Sequence, residues 1–149
     1  MSNVSQKCQY ALRALFELAK RRNEGVPLTV AEMSQAQAIP ARFLEQILMQ
    51  LRQGGYVESR RGVAGGYVMT ADPAKLTVGE IIQFLEGPIS PVKGLDGGEQ
   101  SALTSDCVFM IMWKEARDAL SEVYDRWTFE ELLARERLIA PGVAYDFSI

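Results

Sequence analysis

The residues from Thr29 to Met69 constrain the fold most, because they set two short helices and a hairpin in a fixed order. Thr29 and Glu32 have the spacing of a capping box, in which both side chains satisfy free amides at a helix start. Pro40 is well placed to open the second helix, which the apolar spacing extends to about Gln53. Two glycines then end that helix.

The hairpin is predicted from two short β-rich runs, Tyr56–Ser59 and Tyr67–Thr70, with a glycine-rich loop between them. A phosphate-binding glycine loop opens a helix after a strand and needs a different glycine spacing, so it is excluded here. Two helices followed by a hairpin is the order of a winged helix-turn-helix. In that unit the second helix enters a DNA major groove, and the hairpin, or wing, touches the flanking DNA.

The second helix has two faces. The residues predicted to be buried are Phe43, Leu44, Ile47, Leu48 and Leu51, and the outer face holds Arg42, Glu45, Gln46, Met49 and Gln50. Arginine and glutamine make bidentate bonds to guanine and adenine, and glutamate accepts from cytosine. The candidate DNA-binding residues are therefore Lys7, Arg42, Glu45, Gln46, Arg60, Arg61, Gly62, Gly65 and Gly66. The alternative is that the polar ones are ordinary solvated side chains.

Charge is distributed unevenly along the chain. Residues 1–75 hold 10 basic and 6 acidic residues, a charge of +4, and residues 76–149 hold 6 and 13, a charge of −7. This accounts for the net charge of −3. A basic front half beside an acidic back half is typical of a DNA-reading surface joined to a separate assembly or sensor region.

A long helix is predicted from about Asp106 to Trp127, with more apolar surface than a small domain needs to bury. We expect it to pair two copies of the chain. The predicted dimerisation residues are Val108, Ile111, Met112, Ala116, Leu120, Val123 and Trp127. The alternative is packing within one subunit only.

The predicted fold is therefore mainly α-helical with a small β-hairpin wing. Its expected parts are a winged helix-turn-helix domain (1–86), a sensor-region loop (87–105), the dimerisation helix with a following short helix (106–137) and a tail (138–149).

Several classes of protein are disfavoured by composition. The chain has no histidine and only two cysteines, Cys8 and Cys107, which excludes histidine-dependent catalysis and imidazole zinc sites. A disulfide framework is not indicated, so the reducing cytoplasm is the expected location. No apolar run approaches a membrane span, and Arg13 and Glu17 interrupt any signal-like segment. An enzyme, a metal site and a membrane partner are not expected.

The chain resembles the Rrf2 family of bacterial winged-helix regulators, which includes IscR, NsrR and CymR. The matching motifs are Tyr10–Leu15, Phe43–Leu48, Leu51–Val57, Arg61-Gly62 with Gly65-Gly66-Tyr67, Val78–Ile82 with Glu86-Gly87, and Trp113. The resemblance extends over about residues 4–133. It implies a homodimeric transcription regulator, most simply a repressor, that binds a near-palindromic operator through Arg42, Glu45 and the wing residue Arg61.

The sensor part of the family pattern is incomplete. Cluster-binding members place three cysteines before the long helix, and only the last, Cys107, is kept here. Leu95 and Ser101 stand near the other two positions, and Met110 replaces a histidine ligand. Iron–sulfur clusters typically need four cysteine or histidine ligands. We therefore expect no cluster, as in the CymR-like branch.

Three signals stay open at this stage: oxidation of Cys107, a small metabolite bound in the 87–106 region, or a partner protein. The alternatives for the whole chain are a winged-helix module that contacts only proteins and a cluster-binding redox or nitric-oxide sensor with unusual ligands. A thiol enzyme using Cys107 lacks any visible base.

Overall fold

The computed structural model describes residues 4–95 and 104–139. Its elements are α1 Gln6–Arg21, α2 Val30–Gln37, α3 Ala41–Gln53, β1 Val57–Arg60, β2 Gly66–Met69, α4 Val78–Glu86, α5 Thr104–Arg126 and α6 Phe129–Leu138, with a short 3-10 turn at Arg22–Glu24. The fold is mainly helical with a two-stranded antiparallel hairpin, as the sequence predicts. The predicted loop residues 96–103 and tail residues 140–149 lie outside the described residues.

Side-chain caps begin four of the helices. The hydroxyl oxygens of Thr29, Thr77 and Thr128 each accept from the amide three residues later, at 3.1, 3.2 and 3.1 Å. Ser5 does the same for the amide of Cys8 at 3.1 Å. These bonds satisfy amides that a helix start leaves free, so Thr29, Thr77 and Thr128 set where α2, α4 and α6 begin.

The core is built around α1. Its buried residues, among them Ala14, Leu15 and Leu18, pack with Leu44 and Leu48 of α3. Phe129, at the first position of α6, is fully buried in the same cluster. The core therefore includes a residue that lies far along the chain from α1.

The hairpin pairs Val57 with Met69 and Arg60 with Gly66. A third segment joins it, because Leu28 and Tyr67 exchange backbone hydrogen bonds of 2.9 and 2.8 Å. This bridge, which the sequence analysis missed, ties the start of the helix-turn-helix to the wing.

The beginnings of α4 and α6 are joined directly. The amide of Val78 donates to the carbonyl of Trp127 at 2.9 Å, and the amide of Phe129 donates to that of Leu76 at 3.1 Å. A Cβ on Gly79 would lie 2.0 Å from a carboxylate oxygen of Asp125. The backbone amide nitrogen of Asp125 would lie 3.3 Å from the same Cβ, so α5 packs closely against α4 at this point.

A polar network joins three helices beside the core. Glu17 is only 5% exposed; its Oε1 accepts from Gln37 Nε2 at 2.6 Å and lies 3.4 Å from Lys20 Nζ. Lys20 Nζ also lies 2.8 Å from Glu136 Oε1 on α6. Arg13 donates to both the side chain and the carbonyl of Gln37. The end of α2 is thus held to α1 by half-buried hydrogen bonds, and the side of α6 by an exposed ion pair.

Replacing Glu17 with alanine is expected to lower the free energy of unfolding by roughly 2 kcal/mol, because Gln37 loses a buried acceptor. Urea denaturation followed by circular dichroism measures it. The matched control is Glu24→Ala, which removes only an exposed ion pair with Arg21 at 3.7 Å and is expected to cost less than about 0.5 kcal/mol. Equal losses in the two variants would contradict a structural role for the network.

None of the helices that the structure describes is long and apolar enough to cross a membrane.

Candidate nucleic-acid interface

The polar face of α3 is exposed to solvent. Arg42, Glu45 and Gln46 are all exposed. Within the described part of the chain their side chains make no hydrogen bond or ion pair, although Arg42 and Glu45 lie one turn apart. Donors and acceptors of these types fit base edges in a major groove.

The prediction that Phe43 belongs to the buried stripe of α3 is wrong. The other four members, Leu44, Ile47, Leu48 and Leu51, are buried as predicted, but Phe43 is 54% exposed. Successive helical residues are turned by about 100°, which places Phe43 at the rim of a stripe centred on the other four. No element of the described fold covers that rim.

The end of α3 is shaped by two glycines. Gly55 has a φ of +81°, and the amide of Tyr56 returns to the carbonyl of Leu51 at 3.0 Å. A Cβ on Gly54 would come within 2.6 Å of the ring of Phe84. The chain therefore turns directly from α3 into β1, which sets the wing next to the exposed helix.

The wing tip, residues 61–65, has its own conformational requirements. Gly62 has a φ of +108°, and the amide of Gly65 donates to the carbonyl of Gly62 at 3.0 Å. A Cβ on Gly65 would lie 2.6 Å from the carbonyl oxygen of Arg60. These glycines are explained by the shape of the tip itself, and their contact with DNA stays a prediction.

The two wing arginines differ in their surroundings. Arg60 Nη2 lies 2.8 Å from Glu58 Oε1, whereas the exposed Arg61 forms no ion pair with any described residue. Val63 at the tip is fully exposed. Arg61 is therefore the wing cation most available to a phosphate or a minor groove.

Gly66→Ala is expected to destabilise the protein by about 3 kcal/mol. Gly66 has a φ of +150°, and an added Cβ would lie 2.6 Å from the carbonyl oxygen of Leu28, which is fixed in the strand bridge. Thermal unfolding measures it. Gly25→Ala is the control, since Gly25 has a φ of +69° with open space around a Cβ, and its expected cost is only about 1 kcal/mol. A Gly66 variant as stable as the Gly25 variant would contradict the close approach.

Lys7 is exposed in the first turn of α1. The same helix start is held to α4, because Glu86 Oε1 accepts from the amide of Ser5 at 2.7 Å. The structure brings Lys7 into no contact with the other predicted DNA-binding residues, so its role also stays a prediction.

The predicted dimerisation residues divide into two groups. Val108, Ile111, Met112 and Val123 are exposed, Ile111 by 70%. Ala116 and Leu120 of α5 are half-buried, as is Trp127, which directly follows the helix. Phe109, which the prediction omitted, is also exposed. The predicted stripe is thus half-buried in part within the subunit, and its other apolar residues are uncovered.

The two cysteines lie in different environments. Cys107 is exposed in the first turns of α5, and Cys8 is buried in α1. Among the described residues no three cysteine or carboxylate side chains are grouped as a metal site would require. Leu95, near one position where cluster-binding relatives have cysteine, is buried.

Alkylation is expected to modify Cys107 and leave Cys8 intact in the folded protein. Burial, with a smaller contribution from the charge of Glu86, raises the pKa of the Cys8 thiol to about 12. At pH 8 the Cys8 thiol therefore stays protonated and unreactive. Iodoacetamide treatment followed by mass spectrometry is expected to add one group per chain, and two in urea. Rapid modification of Cys8 under native conditions would contradict its burial.

Comparison with known proteins matches residues 4–135 to the sequence model of the Rrf2 family, described as iron-dependent transcriptional regulators. The chain is 40% identical over 129 residues to the HTH-type transcriptional regulator CymR of Bacillus subtilis (strain 168), covering 87% of this chain and 88% of that protein. The structure of CymR, called the global cysteine regulator of B. subtilis, is similar with a TM-score of 0.77 and 38% identity, covering 91% of this chain and 98% of that one. The structure of T. potens IscR gives a TM-score of 0.74 and 30% identity, covering 94% and 93%.

Proposed function

The chain belongs to the Rrf2 family of transcriptional regulators, and we propose that it is a homodimeric, sequence-specific DNA-binding repressor of a near-palindromic operator. The observation that carries the proposal is the outer face of α3, where Arg42, Glu45 and Gln46 are exposed without partners in the described structure. Helix-turn-helix proteins read bases with the first turns of such a helix.

Each reading residue has a distinct role in this proposal. Arg42 donates to a guanine, Gln46 makes paired bonds to an adenine, and Glu45 accepts from a cytosine amino group. Glu45 also repels DNA wherever that amino group is missing, which adds selectivity. Arg61 and Lys7 bind the backbone or the minor groove and set the position of α3.

The dimer of the proposal is formed by α5. Its exposed apolar face, with Val108, Ile111, Met112 and Val123, is larger than the scattered single residues usual on a monomer surface. Pairing two such faces about a two-fold axis covers them and repeats the DNA-reading unit. The close packing of α5 on α4 at Gly79 then determines the spacing between half-sites.

We further propose that the protein works without an iron–sulfur cluster, although the family is described as iron-dependent. Cys8 and Cys107 are the only thiols, the chain has no histidine, and Cys8 is buried. This donor set does not fit a cluster held within one chain. Protein purified without oxygen is expected to show no visible absorbance from an iron–sulfur cluster and no stoichiometric iron. A coloured, iron-containing dimer would overturn this part of the proposal.

The main test is selection of bound fragments from genomic DNA, followed by mobility-shift titration of the recovered sequence at several salt concentrations. A palindromic site with affinity that falls steeply with salt is expected, because phosphate contacts release counterions. Equal binding to all fragments would contradict sequence-specific recognition. Absence of binding to any fragment would contradict DNA binding itself and favour a protein-interaction module.

A further inference from the structure

Phe43 is an aromatic side chain that the fold does not use. It is 54% exposed, and it is not among the apolar residues buried in the core or packed against it. Its neighbours in sequence, Arg42 and Leu44, mark the polar face and the buried face of α3. Phe43 therefore stands at the border of the surface that the proposed function turns towards DNA.

The position of Phe43 along α3 is as informative as its exposure. It is the third residue of the helix, within the first turn, and Gln46 follows it at the i+3 position, where helix side chains are neighbours. Met49 is the other large apolar residue of α3 that is exposed, at 60%, but it lies about 9 Å further along the axis. Base contacts come from the beginning of a recognition helix, which favours Phe43 over Met49.

The chemistry of the major groove offers an apolar side chain one specific partner. Among the four bases only thymine carries a methyl group on that edge, and phenylalanine is one of the side chains that contact it. An adenine bound by Gln46 is always paired with a thymine, so the methyl group is available beside the atoms that Gln46 reads.

We propose that Phe43 determines specificity by packing against the 5-methyl group of a thymine in each half-site of the operator. This rests on the proposed function and deepens it. It predicts an operator in which one thymine per half-site is needed for its methyl group as well as for its base pair.

The test replaces the thymines of the selected operator one at a time with deoxyuridine, symmetrically in the two half-sites. Deoxyuridine lacks only the methyl group and keeps every hydrogen bond of the pair. At one position the native protein is expected to bind about fourfold more weakly per half-site, and about 15-fold for both, as expected for one methyl-sized group left in water. The Phe43→Ala protein is expected to bind the thymine and deoxyuridine operators with affinities equal within about 1.5-fold.

Met49→Ala is the matched control, since it removes an apolar side chain of similar exposure from the same helix. It is expected to keep the full thymine preference. Both side chains are largely exposed, so native circular dichroism and an unchanged Tm are expected in both variants. A sequence-specific operator with no methyl-sensitive thymine would overturn this inference and leave the proposed function intact. A methyl preference that survives Phe43→Ala would overturn it equally, whereas failure to select any operator would refute the proposed function first.

Discussion

A protein with aspartate in place of Ile111 is expected to be a monomer that binds operator DNA at least about 100-fold more weakly than the native chain. Ile111 is 70% exposed in the single subunit, so the change leaves the subunit fold intact. In the proposed dimer it buries a carboxylate without a partner on each side of the two-fold axis. Once the subunits separate, each half-site is bound singly and the gain from joining two reading units is lost. Light scattering gives the mass, and mobility shift gives the affinity.

Ala134→Asp is the control for this experiment, because it adds the same charge to an exposed helical position on α6. It is expected to remain dimeric and to bind normally. If the Ile111 variant stays dimeric with unchanged affinity, the uncovered face of α5 is not the subunit interface. If it becomes monomeric with full affinity, the protein does not read a two-fold operator.

Arg61→Ala is expected to weaken operator binding about tenfold per wing, and therefore about 100-fold for a dimer. Arg61 forms no ion pair within the described structure, so all of its charge is available to DNA. The slope of log affinity against log salt is expected to become shallower by about two, one released phosphate contact per wing. Titration of the selected operator between low and physiological salt measures both effects.

Two arginines of similar exposure serve as comparisons. Arg137 on α6 is exposed and far along the chain from the wing, and its replacement by alanine is expected to leave binding unchanged. Arg60 is already paired with Glu58 at 2.8 Å, so Arg60→Ala is expected to have a smaller effect than Arg61→Ala. An unchanged salt slope in the Arg61 variant would exclude a phosphate contact by this side chain.

The helix boundaries were predictable because their causes are local. Thr29, Thr77 and Thr128 each bond to an amide three residues later, so the spacing within the sequence is the whole signal. The end of α3 is equally local, since Gly55 adopts a left-handed conformation that few other residues favour. The two runs predicted as strands do form the hairpin, in which Val57 pairs with Met69 and both side chains are buried.

The partners of those elements were not predictable in the same way. Leu28 pairs with Tyr67 across a long stretch of chain, and no local sequence pattern identifies either residue as the partner of the other. The burial of Phe129 against α1 likewise joins distant segments. The sequence alone does not distinguish Glu17 from a solvated glutamate, because its burial depends on its contacts with Gln37 and Lys20 in the fold.

For the candidate site, the residue types and their order along α3 and the wing came from the sequence alone, because helical periodicity assigns Arg42, Glu45 and Gln46 to one face. Periodicity fixes the angle between side chains but not which neighbouring element covers them. Tertiary packing therefore decided that Phe43 is left uncovered at the rim of α3, and that α5 turns Leu120 inward and Ile111 outward. Those two exposures, which depend on contacts between distant parts of the chain, determine which surfaces remain for DNA and for a second subunit.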